Sequence, residues 1–122
     1  MAFWRIVDYV EPTGRNPVAD WQSGLPHDAR AEIDARLLQM EAMPKWPPKW
    51  VSDYKGYEGL IELRIPFNRV QYRPLAMYQP KFVVVLLHGA IEKGKIPRSD
   101  LDTAAKRRET VLREPYRVRP HF

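Results

Sequence analysis

Between Leu60 and Lys95 the chain sets cations and aromatics among strand-like apolar residues: Arg64, Arg69, Tyr72, Arg73, Tyr78, Lys81, His88, Lys93 and Lys95. Such a series suits a polyanion, because cations neutralise phosphates and rings stack on bases. If the anion is RNA, these side chains could act on phosphate without a metal, since the strand supplies its own nucleophile, the 2′-hydroxyl. Cleavage then needs a base for that hydroxyl, cations for the crowded phosphorane-like state and an acid for the leaving 5′-oxygen. Strand parity places Arg64 and Arg73 on one face, with Lys93 and Lys95 where the last strand ends. Crowded cations lower one another's proton affinity, which suits Lys93 or Lys95 to proton transfer near neutral pH. His88 is a further candidate, as are Tyr72 and Tyr78. Plainer readings stand beside these: Arg64 can pair with Glu62, and a His closing an apolar strand is more often structural.

Other chemistries find little support. The absence of Cys removes disulfides, thiolate zinc sites and thiol nucleophiles. His27, His88 and His121 are widely separated, with no HExxH spacing and no acidic cluster, so no metal is expected. No phosphate-cradling glycine loop and no GxSxG motif occurs, so no cofactor is expected and a serine hydrolase is disfavoured. Charge is uneven: residues 1–62 hold 7 Lys/Arg and 10 Asp/Glu, whereas residues 63–122 hold 13 and 5. The second half therefore carries +8 against −3 in the first, for a net +5, and calls for an anionic partner, RNA or DNA first. No apolar run approaches bilayer length, and Asp8 interrupts an N-terminus that lacks a signal-peptide pattern. A cytoplasmic protein without a membrane partner is the expectation.

The positioning elements fit a single domain over residues 1–122. Phe3–Val10 reads as a strand closed by Glu11-Pro12-Thr13-Gly14. Asn16-Pro17 opens a short helix that Ser23-Gly24 stops, with Trp21 as its anchor. Pro26 opens a second helix, with Ile33, Leu37 and Met40 on its inner stripe and a Glu32–Arg36 ion pair outside. Together these helices predict a hairpin over 16–43. Residues 44–57 form a Trp/Pro-rich loop that Trp46 and Trp50 pin to the body. Three strands follow: Leu60–Ile65, Arg69–Met77 with a bulge or edge at Pro74, and Phe82–Leu87, buried on both faces. They make an antiparallel meander that the N-terminal strand could complete. Gly89–Ile96 reads as a cationic connection. A last helix starts near Pro97, with Leu101, Ala104, Ala105, Arg108, Val111 and Leu112 inward and a basic rim that also includes Arg108. The tail 115–122 reads as irregular.

Glu62-Leu63-Arg64, Tyr72-Arg73, Leu87-His88-Gly89, the spaced Lys93 and Lys95, and then Pro97 follow one another in an order that resembles the RelE/ParE toxin superfamily, and within it the HigB-like, phage-derived subgroup. The likeness covers about residues 3–112. It implies an α+β, microbial-ribonuclease-like fold: an antiparallel sheet of about four strands, an N-terminal helix hairpin on one face and a C-terminal helix. It also implies the toxin of a type II toxin–antitoxin pair that cleaves mRNA on the ribosome without a metal, with a small helix-turn-helix antitoxin as partner. The candidate catalytic set is Arg64, Arg73, Lys93, Lys95 and His88, and the candidate RNA-binding set is Arg69, Tyr72, Tyr78, Lys81 and Arg108. Three departures are visible, one of them the unusually Trp/Pro-rich 44–57 loop. Ile96 stands where Thr commonly caps the last helix, and Glu92 adds an acid where a second Lys is usual. A catalytically degenerate binding module and a ParE-like gyrase inhibitor are the alternatives.

Overall fold

The longest unbroken apolar run in the chain makes the centre of the sheet, and helices cover both of its faces. A computed structural model describes residues 2–122. In chain order the elements are β1 (Arg5–Tyr9), α1 (Pro17–Ser23), α2 (His27–Glu41), a 3-10 turn (Pro48–Trp50), β2 (Val51–Asp53), β3 (Ile61–Leu63), β4 (Ile65–Phe67), β5 (Val70–Gln79), β6 (Val83–Glu92), α3 (Arg98–Arg113) and β7 (Val118–Pro120). The architecture is α+β, with three helices and one open, mostly antiparallel sheet. The strand order is β2-β3-β5-β6-β1-β7, with β4 also on β5. Among the described residues no helix is long and apolar enough to cross a membrane.

Alternation along β6 explains the two-sided burial. Val84 and Leu86 join one apolar cluster with Ile33, Leu37 and Met40 of α2. Val85 and Leu87 join a second with Leu101, Ala104 and Val111 of α3. Successive strand residues point to opposite faces, so an unbroken apolar run needs a cover on each side. The register slips once: Leu75 faces His88 while Ala76 faces Leu86, which leaves Leu87 as an extra residue. This bulge lies beside Pro74, which pairs with Gly89 in a central strand where a missing N–H has to be accommodated.

The sheet has seven strands rather than about four, and each difference has a local cause. The N-terminal strand joins the sheet parallel to β6, not as a further antiparallel strand. The expected 60–65 strand breaks at Arg64, whose N–H turns to the Trp50 carbonyl 2.7 Å away. Inside the 44–57 loop lies β2, antiparallel to β3; with only three residues it has too short an alternation to read. Gly89 does not end β6, which runs on to Glu92. There the indole of Trp21 lies against the strand, where a Cβ on residue 89 would overlap the ring. The tail is not irregular either, since β7 pairs antiparallel with the outer edge of β1.

The helices start and stop as expected, with two corrections. Asn16 caps α1, its Oδ1 accepting the Ala19 N–H at 2.9 Å, with Pro17 just inside. Trp46 and Trp50 do pin their loop: the Trp46 N–H donates to the Met40 carbonyl at 2.9 Å, and Arg36 stacks 4.1 Å above Trp50. Arg36 is thereby diverted from Glu32. It donates to the Arg64 carbonyl at 2.8 Å, and burial lowers its pKa against the opposing pull of Glu32. Leu112 is not inward but 55% exposed, because Val111, one residue earlier on the helix, takes the buried position.

Gly89→Ala should destabilise the protein by about 1–3 kcal/mol through overpacking against Trp21. Urea unfolding monitored by far-UV circular dichroism checks this; an unchanged midpoint would mean that Trp21 can move away.

Candidate functional site

Arg73 lies on the α3 face of β5, alternating with Leu75 and Met77 of the α3-side cluster. Only 8% of the residue is exposed. A guanidinium so placed needs partners, because burying an uncompensated charge is costly. Its Nε donates to Glu92 Oε2 at 3.1 Å and its Nη2 to Gln71 Oε1 at 3.1 Å. Its Nη1 is buried and has no hydrogen-bond partner. Arg30 Nε and Arg108 Nε are buried without a hydrogen-bond partner in the same way.

Arg64 shares that face. It sits two residues after Glu62, which is opposite Leu75 across the β3–β5 pair, and it reaches back to Glu62 Oε1 at 2.9 Å. Its Nη2 donates to Ser52 Oγ, also at 2.9 Å. The side chain is 39% exposed, whereas that of Glu62 is only 8% exposed. Glu62 and Arg73 are diagonal cross-strand neighbours, a separation of about 7–8 Å between such positions. Two arginines and two glutamates thus alternate across β3, β5 and β6. Lys93 and Lys95 are exposed in the turn after Glu92, bridged to each other around Gly94 at positive φ. The structure therefore puts Arg64 and Arg73 on one face, engaged by Glu62, Ser52, Gln71 and Glu92, with Lys93 and Lys95 in the turn that follows Glu92. Glu62 and Gln71 carry a legible signal: each sits two residues before its arginine, and residues i and i+2 on a strand share a face.

His88 is also on the α3 face but is otherwise engaged. Arg107 can only donate, so Nδ1 of His88 accepts from it at 2.9 Å, and Nε2–H donates to Asp100 at 2.7 Å. Both ring nitrogens are committed to α3, which leaves a clamp rather than a free acid or base. Arg107 also donates to the Leu87 carbonyl at 3.0 Å, and burial lowers its pKa against Glu11 and Tyr9.

The remaining candidates do not gather at the arginines. Tyr72 is 4% exposed and packs edge-on to Trp21, on the opposite face from Arg73. Tyr72 is therefore a core residue, not an RNA contact. Tyr78 and Lys81 lie at the far end of β5, and Arg69 is exposed in the β4–β5 turn. Arg108 packs over Gly59, where a Cβ would overlap its guanidinium.

A cavity of about 520 Å³ lies on the other face, lined by Asp8, Gln22, Arg30, Asp34 and His121 among others. Several of its polar groups satisfy one another, but Arg30 Nε is buried without a hydrogen-bond partner. His121 Nδ1 meets Asp8 Oδ1 at 2.8 Å and its Nε2 meets Asp34 Oδ1 at 3.0 Å. Asn16 and Gln22 hold the same two carboxylates. This latch joins β1, α2 and the tail. Among the described residues no group of three or more His, Asp or Glu is arranged to hold a metal ion.

Residues 20–109 match the model of the family described as phage-derived protein Gp49-like (DUF891). The chain belongs to this family. The matched span starts in α1 and ends in α3, so it contains Arg64, Arg73, Glu92, Lys93 and Lys95. No curated protein and no solved structure matches the chain.

Burial pulls the proton affinity of His121 down, but hydrogen bonds and charge from Asp8 and then Asp34 outweigh it, so the imidazolium is held above the ordinary 6.5. A raised folded-state pKa contributes stability fully below pH 6.5, and the contribution is lost as pH rises through the folded value. His121→Gln should therefore cost about 1–2 kcal/mol at pH 6 and markedly less at pH 9. Urea unfolding of both proteins at the two pH values measures this. An equal loss at both would mean that charge plays no part in the latch.

Proposed function

We propose that this Gp49-like chain is the toxin of a type II toxin–antitoxin pair, a RelE/HigB-like, metal-independent endoribonuclease acting on mRNA at the ribosome. The observation that carries the reading is that Arg64 and Arg73 share the α3 face of the sheet, with Lys93 and Lys95 exposed in the turn that follows Glu92, the partner of Arg73. In this reading Arg73 and Arg64 bind the non-bridging oxygens of the scissile phosphate. The RNA 2′-oxygen attacks the adjacent phosphorus, and the bond to the 5′-oxygen breaks. A cyclic 2′,3′-phosphate and a free 5′-hydroxyl result. In this reading the carboxylate of Glu92, 28% exposed and 3.1 Å from Arg73, takes the 2′ proton. An ammonium from Lys93 or Lys95 gives a proton to the leaving oxygen. The toxin reading is supported by family membership together with the order of the strand, lysine and helix motifs. It carries with it a cytoplasmic location and a small helix-turn-helix antitoxin as partner.

One observation favours a second reading. Both arginines are already engaged by glutamates, Arg64 at 2.9 Å and Arg73 at 3.1 Å. A module that has lost catalysis and only binds RNA or an antitoxin would look like this, and it would bind RNA in a salt-dependent manner without cutting it.

Induced expression of the wild type should arrest growth and cut translated mRNA. Arg73→Ala should lower cleavage by about 10²–10³-fold, as loss of one preorganised cationic donor does. Arg73→Lys should fall between, since it keeps the charge and loses the fork. Primer extension on ribosome-bound message reads the cuts; a wild type that leaves message intact and growth unaffected rules the nuclease out.

A further inference from the structure

The end of the sheet remote from Arg73 carries a group of rings that the arginine site does not use. Trp4 lies 4.7 Å from Trp46, 5.6 Å from Tyr78 and 5.2 Å from Phe82. The planes of Trp46 and Tyr78 are nearly parallel, at 14°, with ring centroids 6.5 Å apart. Phe3, Tyr78 and Phe82 are 50%, 45% and 64% exposed. The indole N–H groups are tied to carbonyls, Trp4 to Pro44 and Trp46 to Met40, so the platform is rigid before anything binds.

The β5–β6 turn adds a second, independent observation. Lys81 and Phe82 stand at φ of 66° and 61°, the left-handed region. Asn and Gly are the ordinary residues there, and an aromatic at such a position is strained. Phe82 gains little from burial in return. Strain of this kind persists where a side chain is wanted at the surface. Lys81 precedes Phe82 and Lys45 precedes Trp46, both exposed; Asp53, near Tyr78, is an opposing charge.

We infer that Trp4, Trp46, Tyr78 and Phe82, with Lys45 and Lys81, form a stacking surface for single-stranded RNA, separate from the arginine site. The inference rests on RNA being the partner, as proposed above, but not on cleavage. Rings flanked by cations fit bases joined by phosphates. The exposed parts of Phe3, Tyr78 and Phe82 amount to about 300 Å², which suits two or three bases and falls well short of the roughly 800 Å² per side of a stable protein interface. Tyr78 is about 17 Å along β5 from Arg73 and on the opposite face, so the surface would grip the message a few nucleotides from the phosphate under attack.

The test uses the full chain and a fluorescein-labelled, 2′-O-methylated oligouridylate, which has no free 2′-hydroxyl and reports binding alone. Phe82→Gly and Phe82→Asn should each weaken binding about tenfold while keeping or raising the urea midpoint, because both relieve the turn. Leu112→Ala, an exposed apolar residue on α3, should bind as wild type. Wild-type affinity in both Phe82 variants overturns the inference, as does loss of binding to an acidic peptide with oligouridylate binding unchanged, which would assign the rings to a protein partner. Phe82-dependent binding without cleavage of ordinary RNA removes only the nuclease reading. Cleavage with Phe82-independent binding removes only the stacking surface.

Discussion

The antiparallel pairing of β5 with β6 is the constraint on which the rest depends. These are the two longest strands, and each buries side chains on both faces. One face requires α1 and α2, the other α3. Because the pair is central, it can carry charge only where a cover runs out. Arg73 and Glu92 are near the end of the pair where β6 turns toward α3, and Tyr78 and Lys81 are at the other. The bulge at Leu87 turns both Leu87 and His88 toward α3, which converts an apolar strand into an anchor: Asp100 and Arg107 of α3 both grasp His88. A local register slip thus fixes how the last helix lies on the sheet.

Electrostatics then decides what the α3 face can do. Two arginines and two glutamates alternate there, and the lysines after Glu92 tip the balance to positive. Glutamate partners make burial of Arg73 tolerable, since a lone buried guanidinium would cost several kcal/mol. They also set a competition. A phosphate must offer Arg73 and Arg64 more than carboxylates already 3.1 and 2.9 Å away. Glu92 therefore has two readings, as the base beside the phosphate or as the group that keeps phosphate out, and the same geometry underlies both.

The opposite face is held by different means. Asp8, Asp34 and His121 bind three segments distant in sequence, with Asn16 and Gln22 completing the carboxylates' hydrogen bonds. This latch sits beside β7, whose pairing covers the outer edge of β1 and leaves β2 at the other end of the sheet. Proline at position 120 is admissible there because an edge strand need not donate outward.

Sequence alone determined the parts that rest on local rules. Asn16-Pro17 and Ser23-Gly24 bounded α1, the Ile33, Leu37 and Met40 spacing gave the inner face of α2, Pro97 opened α3, and the apolar run before His88 marked a central strand. Parity also put Arg64 and Arg73 on one face, because side-chain direction along a strand follows from counting. Tertiary structure decided the rest. Short edge strands such as β2 and β7 have too few residues for a pattern and exist only because a neighbour offers a ladder. Whether β1 would join parallel or antiparallel was not written in its own residues. Tyr72 and Tyr78 are equally plausible from type and spacing, yet Trp21 buries one while the other remains 45% exposed. The partners of Arg73 and His88 likewise come from strands and helices that only folding brings together, so charge could be counted from the chain but its compensation could not.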